Sequence, residues 1–271
     1  MKRLNVLLLF FVIISFSKTF ATIQENDLII YKGDTLQLNV YPLEMLYNNP
    51  LERPKFFGDK KGCFNTACWR GYQAEWQIIG GQLYLTNIYS CCYREDKIKA
   101  NLKNLFGDKY VDGKVKADWV TDTVYAMTGK YICPLMTIDQ MVFEGELEFR
   151  FINGKLTETK TLDNSKTRIS SYSQDEKKLI KFIYSNIKWN ELPTYDDKTI
   201  KVMLRFTGNE NGMVDHVEII RSYDSIFDKE AIRVIKSIPE WDVKFRHGKL
   251  YREYYNIPIT FSKENRERYK N

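Results

Sequence analysis

The stretch IKVMLRFTGNENGMVDHVEIIR, residues 200–221, decides how the second half of this chain folds. Ile200, Val202, Leu204 and Phe206 alternate with Lys201, Met203 and Arg205, so they share one face of a strand over Thr199–Thr207. Gly208 to Gly212 (GNENG) is turn chemistry between two extended runs. The return run, Met213–Ile220, alternates less cleanly. Met213, Asp215, Val217 and Ile219 fall on one face, and Val214, His216, Glu218 and Ile220 on the other, so the pattern leaves its inward face open.

Downstream, Phe227, Ala231, Val234 and Ile238 recur at helical spacing, and Ser225-x-x-Asp228 reads as a capping box at the start of that helix. Pro239 stops it, and Leu250–Phe261 reads as the last strand. Upstream, Leu179, Ile180, Phe182, Ile183 and Ile187 mark a helix expected to end near Trp189, before Leu192-Pro193. The small, polar Ser170–Gln174 (SSYSQ) is the expected boundary, so 174–271 reads as one unit. Helices on one side of a small antiparallel sheet make an α+β domain.

The preceding segment, 22–170, reads as a β-rich domain. Asp27–Tyr31 and Thr35–Tyr41 flank Lys32-Gly33-Asp34. Tyr72–Ile79 and Gln82–Tyr89 flank Gly80-Gly81, and Met141–Phe151 and Leu156–Thr161 flank Asn153-Gly154. Lys97–Phe106 is the one expected helix there.

Residues 1–21 read as a secretory leader. Lys2 and Arg3 precede an apolar run over Leu4–Phe16, and Thr19-Phe20-Ala21 offers a small-x-small cleavage site. That run is shorter than the roughly 20 residues a bilayer span needs. The expectation is a cleaved leader and a periplasmic or secreted protein; the alternative is an inner-membrane anchor formed by an uncleaved leader. Lys2, Arg3 and Lys18 carry half of the formal charge of +6, so no strong nucleic-acid field remains.

An exported chain makes disulfides the default use of cysteine. Cys63, Cys68, Cys91, Cys92 and Cys133 all precede residue 170. Cys91 and Cys92 are adjacent and do not readily bridge each other, so one of them is expected to pair with Cys63 or Cys68. The fifth thiol makes the count odd. A thiol or zinc site is the alternative use, although C-x4-C plus C-C matches no common zinc module. Glu144, Glu146 and Glu148 share one strand face, and a glycan-acting hydrolase would use Glu144, Glu146 or Asp118. The same alternation is expected of a solvated strand surface. With only His216 and His247, and no G-x-S-x-G or H-E-x-x-H pattern, neither a metal, a cofactor nor a catalytic residue is expected.

Several pieces then occur in order: Val202-x-Leu204-x-Phe206, the turn through Gly212, Met213-Val214-x-x-Val217-x-Ile219, Arg221-Ser222, Phe227-Asp228-x-Glu230-Ala231, Pro239-x-Trp241, Gly248-Lys249 and Ile257-Pro258-Ile259-x-Phe261. Together, over about 190–262, they resemble the TonB C-terminal domain family in the divergent form of exported Bacteroidota proteins. The resemblance covers roughly a quarter of the chain and leaves 22–170 without a role. It implies a non-enzymatic envelope module, associated with transmembrane transport, that binds an outer-membrane receptor or other envelope protein by adding a strand to a sheet edge. The last strand is the expected edge, because Pro258 lacks the N–H a central strand needs. Tyr254, Tyr255, Asn256, Ile257, Pro258 and Ile259 are then the expected partner contacts. The chain departs from energy-transducing TonB in having no Pro-rich spacer, and the Gln-Pro-x-Tyr-Pro start is reduced to Leu192-Pro193-Thr194-Tyr195.

Overall fold

A computed structural model describes residues 24–47, 49–58, 66–135, 140–195 and 198–270. The leader and Cys63 lie outside the described residues. Glycine-containing links set the first hairpins. Strands β1 (Leu28–Tyr31) and β2 (Asp34–Leu38) turn at Lys32-Gly33, and β3 (Tyr72–Ile79) and β4 (Gln82–Ser90) at Gly80-Gly81. Gly80 and Gly81 have φ of +57° and +76°, left-handed values that a two-residue turn matched to strand twist demands.

Two short helices follow, α1 (Tyr93–Asp96) and α2 (Leu102–Phe106), in place of the one expected over Lys97–Phe106. Lys97 terminates α1 at φ +55°, Lys99 bridges to Tyr89, and the Asn101 side chain caps α2 by accepting the Asn104 N–H. Then come β5 (Tyr110–Val111), β6 (Lys114–Lys116), β7 (Thr123–Leu135), β8 (Gln140–Ile152) and β9 (Lys155–Asp163).

The strand order is β3-β1-β2-β7-β8-β9-β4-β6-β5, and β3 also pairs with β4, so the sheet closes on itself. Tyr72, Trp76, Phe149 and Phe151 are fully buried within its core. The β4–β9 seam is one residue pair, Gln82 with Lys155, reinforced by Gln82 Nε2 donating to Gly154 O at 2.8 Å. A Cβ on Gly154 would meet Ala117 O at 2.3 Å, so only glycine lets the backbones approach there.

The second half begins with α3 (Ser171–Gln174) and α4 (Glu176–Ser185), which ends before Trp189 because the chain leaves helical geometry after the Asn186 cap. Next are β10 (Ile200–Gly208), β11 (Val214–Arg221), α5 (Ser225–Lys236), β12 (Lys244–Arg246), β13 (Lys249–Tyr251), β14 (Tyr255–Phe261) and α6 (Lys263–Tyr269). A three-stranded sheet runs β11-β10-β14. Its inner face, Ile200, Val202, Leu204, Phe206, Ile257, Ile259 and Phe261, packs on Leu179 and Ile183 of α4 and on Phe227, Ala231 and Val234 of α5. The whole is α+β, as the sequence pattern predicts.

The ambiguity in β11 has a local cause. A register shift between Thr207 and Gly208 turns Val214 inward, whereas beyond it Val217 and Ile219 face the core and His216, Glu218 and Ile220 are exposed. The α5 cap also sits one residue earlier than expected: Asp224 accepts the Ile226 and Phe227 N–H groups. Asp228 instead accepts from the Ser222 hydroxyl and Tyr223 N–H. The expected single strand over Leu250–Phe261 breaks between Tyr251 and Tyr255.

The β12–β13 hairpin reaches back to the closed sheet. Val243 bridges Arg168, Phe245 N–H donates to Thr167 Oγ1 at 2.9 Å, and Gly248 N–H donates to Asn164 Oδ1 at 2.9 Å. At its tip, His247 Nδ1 lies 2.7 Å from Glu146 Oε2, and its ring stacks on Tyr125 at 3.7 Å between centroids. Glu146 is therefore buried, which corrects the expectation of a wholly solvated carboxylate face. Glu144 accepts the Lys130 N–H at 2.9 Å, and Glu148 pairs with Lys160 at 3.4 Å.

Candidate functional site: the border of the small sheet

The ladder between β10 and β14 fixes which groups face outward. Val202 pairs with Ile259, Met203 with Pro258, Leu204 with Ile257 and Arg205 with Asn256. Thr260 N–H donates to Tyr184 Oη at 3.0 Å, so the backbone of Thr260 points away from β10. In an extended strand the residues two apart point the same way. Asn256 and Pro258 therefore also present their backbone groups to the border, while those of Ile257 and Ile259 face β10.

This geometry sorts the expected contact residues. Ile257 and Ile259 are 3% and 1% exposed, and their main-chain groups face β10. Of the six residues they are the two turned inward, toward the core and β10. Asn256 and Pro258 are exposed, and the register turns the Asn256 N–H outward, away from β10. Pro258 lacks its N–H on the side where none is needed internally, which is why β14 tolerates it. Tyr254 and Tyr255 are also exposed, at 42% and 37%. Tyr254 lies edge-on to His216, and the Arg205 guanidinium sits 5.2 Å from its ring centre. Tyr255 packs against Phe206 and Trp241.

The border is open over only part of its length. Besides the Tyr184 contact, Thr260 O accepts from Asn265 Nδ2 at 2.9 Å, so both outward groups of Thr260 are taken. What remains is Asn256 N–H, Asn256 O and Pro258 O. Beside the open part lies a cleft of about 490 Å³ between the two cores. Trp241, Tyr251, Tyr254 and Tyr255 line it from the second half, and Ile132 and Cys133 from β7. The sequence pattern did not reveal this cleft, because its walls are more than a hundred residues apart in the chain. The cluster of Tyr251, Tyr254 and Tyr255 after Trp241 was its one local signal.

The cleft holds three charged side chains. Lys244 Nζ makes an ion pair with Glu253, lies 3.8 Å from Asp242 Oδ2, and donates to Pro134 O at 3.5 Å. Burial pushes the Cys133 thiol up to about 11, so it stays protonated at neutral pH and is a poor nucleophile. Cys68 and Cys91 form a disulfide with Cα atoms 6.0 Å apart, Cys92 is also disulfide-bonded, and Cys133 is free. Among the described residues no group of three or more His, Cys, Asp or Glu side chains is arranged to hold a metal ion.

Residues 198–262 match the family model of the Gram-negative bacterial TonB protein C-terminal. This segment is a TonB C-terminal domain. The match spans β10 through β14, ends at the Ser262 cap that precedes α6, and excludes the closed sheet. No match was found among curated proteins or solved structures. A TonB C-terminal domain is a protein-interaction module of the Gram-negative envelope rather than an enzyme. No helix among the described residues is long and apolar enough to cross a membrane.

Proposed function

We infer that this is an exported periplasmic protein whose TonB C-terminal domain docks a short extended segment of an outer-membrane receptor by strand addition to β14. The observation that supports this reading is the outward Asn256 N–H beside the outward carbonyls of Asn256 and Pro258. An incoming strand gains main-chain hydrogen bonds there without displacing any internal one. Tyr254 and Tyr255, at the entry to the same border, supply amphipathic contact area.

The experiment is capture of envelope proteins by the immobilised protein, compared with an Asn256→Pro variant. The substitution removes the one outward donor and breaks no bond to β10. The reading expects wild type to retain an outer-membrane receptor and the variant to bind it about fivefold more weakly, one ladder hydrogen bond being worth roughly 1 kcal/mol. Equal retention by the two proteins refutes docking at this border.

A further inference from the structure

We propose that the cleft between the two cores receives a basic side chain, Lys or Arg, of the segment docked on β14, so that the closed sheet supplies part of the binding site; this rests on the docking reading above. Thr260 is closed on both outward groups, so a docked strand finds ladder partners only toward Asn256 and Pro258. Its chain then runs on past Tyr255 and Tyr254, and these residues are walls of the cleft.

The chemistry of the cleft selects the side chain. Asp242 and Glu253 face one ammonium, that of Lys244. Lys244 makes its close contact with Glu253 and remains 3.8 Å from Asp242 Oδ2. Asp242 Oδ1 accepts two neutral donors, Ser170 N–H at 2.7 Å and the Ser173 hydroxyl at 2.5 Å. The lining thus carries one surplus negative charge, centred on Asp242, and its walls are mostly apolar and aromatic. A basic side chain matches both features: its aliphatic stem lies along the rings of Trp241 and Tyr255, and its head reaches Asp242 Oδ2. An acidic side chain meets repulsion, and a purely apolar one displaces water from Asp242 Oδ2 without supplying a donor in its place.

The test uses the full mature chain and heptapeptides of alternating Val and Thr in which one Lys is moved along the sequence, each paired with a norleucine counterpart. Binding is read by fluorescence anisotropy. At one position the Lys peptide is expected to bind about tenfold more tightly than its norleucine partner, the advantage of a charge-assisted hydrogen bond. In Asp242→Asn, which keeps the acceptor for Ser170 and Ser173, the two peptides are expected to bind equally. The wild-type Lys-to-norleucine ratio stands as a test even if that variant does not fold. Equal binding of all pairs to wild type, with every peptide weakened by Asn256→Pro, overturns the cleft proposal and leaves strand docking intact. No binding of any peptide overturns both.

Discussion

Residues 28–163 close their sheet, whereas residues 200–261 leave a three-stranded sheet with two borders. In the first region β3 pairs with both β1 and β4, and the largest aromatic side chains fill the core. In the second, β14 pairs with β10 on one side only, and the helices cover one face without covering the whole border. Sheet borders attract other chains, and closure removes them. The closed sheet is built to hold its shape, and the open one keeps a surface on which a further strand can lie. The contrast also separates where stability and recognition reside, and it can be probed from each side.

The largest expected effect lies in the closed region. Removing the Cys68–Cys91 disulfide as a Cys68→Ala/Cys91→Ala pair frees a crosslink 23 residues apart in sequence and should cost about 3 kcal/mol. Calorimetry should show this loss in the transition of the closed sheet. A matching loss in the transition of the small sheet would mean that the two regions share one cooperative unit.

A comparable effect depends on pH. Asp27 is fully buried, and burial pushes its carboxyl up to about 6, although Arg70 lies 3.7 Å away and Ala74 N–H and Trp76 Nε1 donate to it. The folded state therefore holds a proton that the unfolded chain has released, and the stabilisation this gives at low pH is lost as pH rises through about 6. Relative to Asp27→Asn, wild type should lose about 3 kcal/mol of stability between about pH 4 and pH 7. Chemical denaturation of both proteins across that range checks it. A flat difference would contradict the buried placement of Asp27.

His247 joins the two regions. His247→Ala leaves the buried Glu146 carboxylate without its ring partner and should cost about 2 kcal/mol. Faster proteolysis between β11 and β14 is the expected sign that the hairpin has loosened. The smallest effect is local to the open region: Asp224→Ala removes the α5 cap and should cost about 1 kcal/mol, while Ser225→Ala should cost little. Urea unfolding of the two variants separates them.

How much was legible follows the same division. The hairpins at Gly80-Gly81 and Asn153-Gly154 could be read because the turn needs left-handed backbone and the flanking runs alternate. The β10 face and the α5 stripe could be read for the same periodic reasons. Closure of the first sheet could not: it depends on a parallel β1–β3 pairing and on a β4–β9 seam whose ladder is the one pair Gln82–Lys155, neither of which leaves a local pattern. Burial of Glu146 was hidden because the hairpin that covers it lies about a hundred residues downstream. At the border, Pro258 marks an edge strand, and the alternation along β14 turns Ile257 and Ile259 inward. The caps from Tyr184 and Asn265 come from other elements and shorten the border in a way no pattern in β14 reveals.

The most direct test is residue-resolved amide exchange along β14, in the free protein and with a captured envelope segment bound. The account predicts rapid exchange at Asn256 and slow exchange at Ile257 and Ile259 in the free protein, with Asn256 becoming protected on binding. Protection of Asn256 in the free protein, or an Asn256 amide that still exchanges rapidly in the complex, would contradict it.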